Sequence, residues 1–75
     1  MTLSFRSELE RLEGLTSIVS SKLEYDFNSP QFDSINMLED QLNLVIDIIH
    51  DEKLTSEEKR YVNRLIIIAQ FLITQ

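Results

Sequence analysis

The sequence predicts an all-α protein: an antiparallel three-helix bundle of up-down-up order, completed by dimerisation. Three observations predict it. Apolar residues recur at intervals of three and four in three segments, and the breaks between those segments carry helix-capping residues. The 75 residues also include one Gly and one Pro, too little punctuation for an all-β domain. A chain this short closes only one core, so residues 1–75 read as a single helical domain with helices at about 4–25, 30–50 and 56–74.

In the first helix, Phe5, Leu9, Leu12, Val19 and Leu23 fall on one stripe, and Thr16 fills the remaining seam position. Ile18 and Tyr25 stand off that stripe. Gly14 costs about 1 kcal/mol relative to Ala in a helix interior. It is either a tolerated surface glycine or a place where another helix comes close.

The first break is Asp26-Phe27-Asn28-Ser29-Pro30, with Ser29 suited to the N-cap and Pro30 to the first helical position. The second helix has its main stripe at Ile35, Leu38, Leu42, Val45, Ile46 and Ile49. A second stripe, Met37, Leu44 and Ile48, lies across Gln41 and Ser34. In the second break Thr55-Ser56-Glu57-Glu58 matches a capping box, with Ser56 a competing cap. The third helix puts Tyr61, Val62, Leu65, Ile66, Ile68, Ala69, Leu72 and Ile73 on one broad face. Ile67 and Phe71 point the other way, into the sector of Arg60 and Arg64. Short connections make neighbouring helices antiparallel. A hairpin with one helix docked across a partner satisfies the same pattern.

These helices carry more apolar surface than one stripe each, the amount a lone bundle must bury. Either the second helix uses both stripes inside one core, or the bundle self-associates. Self-association commonly supplements small cores, and two-fold dimers dominate. The candidate protein interface is therefore Met37, Leu44, Ile48, Arg60, Arg64, Ile67 and Phe71, centred on Ile67 and Phe71 with Arg at the rim. The acidic face of the second helix, Asp33, Glu39, Asp40, Asp47 and Asp51, is either a solvated surface or an electrostatic docking site for a basic partner.

Net charge is −6, which argues against nucleic-acid or anionic-membrane binding through bulk electrostatics. Between Lys22 and Lys53 there are eight acids and no Lys or Arg. The longest nearly uninterrupted apolar run, Leu65 to Ile73, is far short of the roughly 20 residues of a membrane span. There is no cysteine, and Met1-Thr2-Leu3-Ser4-Phe5-Arg6 lacks the pattern of a secretory signal, so the expectation is a soluble cytoplasmic protein.

Chemistry finds little support. His50 is the only histidine; with Asp47 it forms one Asp-x-x-His unit, where a di-metal bundle needs two such units and further inward acids. No nucleophilic constellation, phosphate loop or calcium loop is present. The expectation is no enzyme, no cofactor and no metal. Gln31-Phe32, Leu38-Glu39 and Ile46-x-Ile48-Ile49 resemble the second helix of small type III secretion co-chaperones, acidic helical hairpins that hold needle subunits. The resemblance covers under a third of the chain, and the helix from Ser56 onward departs from a hairpin.

The function expected is that of a non-catalytic regulator, adaptor or small chaperone. It would bind a protein partner's helices through apolar stripes, as a homodimer, without a membrane or nucleic acid. The alternative is a nucleic-acid-directed regulator. That would be an RNA-binding dimer using Lys53, Lys59, Arg60 and Arg64, or an acidic protein docking a basic DNA-binding partner.

Overall fold

Thr2 starts the first helix. Its hydroxyl oxygen accepts the backbone N–H of Phe5 at 3.1 Å, which satisfies one of the donors that a helix N-terminus leaves open. In this computed structural model α1 spans Leu3–Tyr25, α2 spans Phe32–Ile48, a 3₁₀ turn covers Ile49–Asp51, and α3 spans Ser56–Ile73. The structure describes the backbone of residues 1–25 and 32–74, and the side chains of residues 1–21 and 34–74. The expected cap at Ser29 and Pro30, the side chains of Leu23, Tyr25 and Asp33, and the Gln31-Phe32 pair lie outside the described residues.

Three long-range contacts fix the direction of the helices. Thr2 donates its backbone N–H to the Glu52 carboxylate at 2.8 Å, tying the start of α1 to the segment after α2. Further along, Gln41 of α2 bonds to Glu8 of α1, so α1 and α2 run in opposite senses. The Tyr61 hydroxyl of α3 donates to Glu13 of α1 at 2.5 Å. Later residues of both helices, Ser17, Ser20, Leu65 and Ile68, then line one groove, so α3 runs alongside α1 in the same sense. All three helices pack against one another, most extensively α1 on α2 and least α1 on α3.

The core is a single cluster at the axis of the three helices: Phe5, Leu9, Leu12, Leu15 and Val19 from α1, Leu38, Leu42 and Val45 from α2, and Val62, Leu65, Ala69 and Leu72 from α3. Spacings of three and four within each set are what a helix must show to present one face inward. Ile35, Ile46, Ile48, Ile49, Leu54, Ile66 and Ile73 pack against its edges.

Two polar side chains are buried with it. The Thr16 hydroxyl donates to the Leu12 carbonyl at 2.7 Å, one turn back on its own helix, and so enters the core without an unmet bond. Gln41, read from sequence as a separator between two stripes, is buried because α1 supplies its partners. Its Nε2 donates to the Glu8 backbone carbonyl at 3.0 Å and to the Glu8 carboxylate at 2.6 Å.

The α3 N-terminus is closed by the expected capping box, with Thr55 rather than Ser56 as the cap. The Thr55 hydroxyl accepts the Glu58 N–H at 3.2 Å, and the Glu58 carboxylate accepts the Thr55 N–H at 2.8 Å. These bonds to Thr55, the backbone one above all, favour the ionised carboxylate and hold Glu58 below the usual carboxylate range. At Gly14 a Cβ would meet nothing within 4 Å, so it is a surface glycine and not a site of close helix approach.

Candidate interaction surface

Arg60, Arg64, Ile67 and Phe71 are spaced by four, three and four residues and form one continuous stripe along α3. The buried residues of the same helix, Val62, Leu65, Ala69 and Leu72, occupy the opposite face. Ile67 and Phe71 therefore point straight away from the core and are 64% and 63% exposed. The side chains of Arg60 and Arg64 are exposed beside them, with no hydrogen bond or ion pair among the described residues.

Met37 and Leu44 lie one turn before and after Gln41 and flank its inward-facing side chain on the α1 side of α2; they are 50% and 41% exposed. Ile48, expected as the third member of that stripe, is instead half-buried and packs on the core, which corrects its reading as open surface. The helix bends the sequence pattern here, because α2 ends at Ile48 and tightens into the Ile49–Asp51 turn. Glu39, Asp40, Asp47 and Asp51 are all exposed, as is His50 in the 3₁₀ turn.

The structure does not bring the two apolar stripes together. In a triangle of helices, the outer ridge of α3 faces away from the edge where α1 meets α2, and Met37 and Leu44 sit on that edge. The interface residues read from sequence thus divide into two surfaces on opposite sides of the bundle.

The broad apolar face expected on α3 is narrower than its periodicity suggested. Tyr61 and Ile68 are 45% and 43% exposed, since the α1 side chains that face them along this flank are small. An open groove of about 480 Å³ results, walled by Glu13, Ser17, Ser20, Tyr61, Arg64 and Ile68. Small serines on the α1 wall leave it unfilled. Accepting the Tyr61 hydroxyl proton, Glu13 pushes the tyrosine pKa up to about 12, with burial of the ring adding to the shift. The phenol is thus held as a neutral donor that fastens α3 to α1.

Among the described residues no group of three or more His, Asp or Glu is placed to hold a metal ion, and no helix is long and apolar enough to cross a membrane. Comparison with protein-family models, curated proteins and solved structures finds no match to this chain. The resemblance to hairpin co-chaperones gains no support from these comparisons, and α3 packs as a full third member of the core.

Proposed function

We propose that the protein is a non-catalytic cytoplasmic interaction module that binds partner helices through the outer stripe of α3, self-association included. One observation carries this reading. Ile67 and Phe71 are nearly two-thirds exposed on the face opposite the core, beside two arginines that have no partner among the described residues. Soluble monomers keep such patches small, whereas apolar and aromatic groups with Arg beside them are typical of interfaces.

The energetics set what the partner must supply. Covering Ile67 and Phe71 removes on the order of 200 Å² of apolar surface from water and contributes about 5 kcal/mol. Association itself costs about 4–15 kcal/mol in lost freedom, so the partner must bring a matching apolar face. An amphipathic helix laid along the stripe does this, and charge fixes its direction.

The test is capture from an extract of the native host by immobilised wild type and by Ile67→Glu/Phe71→Glu. Wild type is expected to retain partners that the variant releases, and moderate salt should weaken this binding far less than it weakens RNA binding. Identical capture by both proteins would place the binding surface elsewhere.

A further inference from the structure

We infer that the outer stripe of α3 is shaped to receive α2 of a second copy of this chain, joining subunits head to tail and not as a two-fold pair. The inference rests on reading that stripe as a binding surface and names its occupant. Its ground is a match of both charge and spacing. The α3 stripe reads Arg60, Arg64, Ile67, Phe71, with steps of four, three and four. Read backwards, the exposed flank of α2 and the turn after it give Asp51, Asp47, Leu44, Asp40, with the same steps, and Met37 follows three residues beyond.

Laid antiparallel, the two stripes set Arg60 against Asp51, Arg64 against Asp47 and Ile67 against Leu44. Phe71 then falls over the hollow between Met37, Asp40 and Leu44, as a knob enters a hole on a facing helix. Every one of these side chains is exposed, and neither Arg60 nor Arg64 is engaged within its own subunit by a described residue.

Charge disfavours the alternatives. From Lys59 to Gln75 there is no acid, so two α3 stripes facing each other would bring four arginines and no carboxylate from the stripe itself, Glu57 and Glu58 lying in the first turn before it. Between Lys22 and Lys53 there is no Lys or Arg, so α2 paired on α2 fails for the opposite reason. Like charges across an interface repel, and only the α3-on-α2 pairing avoids this at both surfaces.

The two surfaces lie on opposite sides of the bundle, so one copy cannot satisfy both with the same neighbour. The contact is heterologous, and it closes into a ring or extends as a chain. Within one subunit α2 and α3 are themselves antiparallel. An antiparallel contact between subunits therefore leaves all copies pointing the same way.

Complementation between two variants tests this, read by light scattering coupled to sizing at tens of micromolar. Ile67→Glu/Phe71→Glu disables the α3 surface, and Met37→Lys/Leu44→Lys disables the α2 surface. Wild type is expected to associate, each variant alone to be weakened at least about tenfold, and the mixture to associate again, since it still contains one intact surface of each kind. Self-association of the α2 variant at wild-type strength overturns the inference, and so does a mixture that stays monomeric. A monomeric wild type overturns it as well, but leaves the reading of α3 standing if Ile67 and Phe71 still govern capture of a host protein. Should an apolar variant lose its helical circular dichroism, Arg64→Asp and Asp47→Arg replace the pair, each inactive alone and active when mixed.

Discussion

Gln41 shows what a single residue can hide from sequence reading. Flanked by Met37, Leu44 and Ile48, it reads as a polar gap in an apolar stripe, yet it is buried because Glu8 meets it from another helix. Nothing local announces a partner 33 residues away. Gln41→Leu is expected to cost about 1 kcal/mol in urea unfolding, since Glu8 is half-exposed and can return to water. Gln41→Glu sets two carboxylates against each other at a buried site and is expected to cost on the order of 3 kcal/mol. Equal losses from the two changes would show that the Gln41–Glu8 contact does not form.

Tyr61 was misread for a similar reason. A helical wheel gives direction but not the size of the side chains opposite, and here the serines of α1 leave the ring accessible beside an open groove. Its raised pKa gives a signed prediction. A group that holds its proton more tightly when folded stabilises the fold fully below its unfolded value and loses that contribution as pH rises through the folded one. For Tyr61 the window runs from the ordinary tyrosine value of 10.0 up to about 12. Ultraviolet titration in a Tyr25→Phe background should place Tyr61 near the upper value and return it towards the lower one in Glu13→Gln. An unchanged titration would remove Glu13 as its acceptor.

At the scale of elements the sequence was most informative, because helix ends and buried faces are written in local spacing. Thr55 and Glu58 announce the start of α3, and the structure shows both halves of the box. The cap of α1, Thr2, was not singled out from sequence, and the helix begins at Leu3, one residue before the expected start. Leu15 escaped notice since it extends the buried face of α1 sideways, towards α2, beyond the width of one stripe. Thr55→Ala is expected to cost about 1 kcal/mol in thermal or urea unfolding. Glu58 sits below its ordinary value, so its contribution is present above the unfolded carboxylate pKa and fades as pH falls through the folded one. Glu58→Gln, which removes the titrating group itself, should therefore flatten the acid limb of the stability curve, and an unaltered limb would contradict the box. Gly14→Ala should raise stability by about 0.5–1 kcal/mol, since the added methyl meets open space in a helix interior. A loss there would mean that something approaches Gly14.

For the whole molecule, the sequence signalled surplus apolar surface without saying how the helices distribute it. The structure absorbs part of the surplus, taking Ile48 to the edge of the core, and leaves Ile67, Phe71, Met37 and Leu44 outside. It also separates the remainder into two faces, which no pattern along a single helix reveals. That separation, with a basic ridge on one side and an acidic edge on the other, is the ground for proposing a head-to-tail arrangement in place of the expected two-fold dimer. Association of this kind should weaken as salt rises, since its charged pairs are exposed and screened, but it should not vanish, because Phe71 and Leu44 are indifferent to ionic strength.

The most direct test is the concentration dependence of backbone amide resonances in solution. On concentrating the protein, amides of residues 60–71 and of residues 37–51 should shift together, while those near Gly14 stay still. Shifts confined to α3, or none in either segment, would contradict the account.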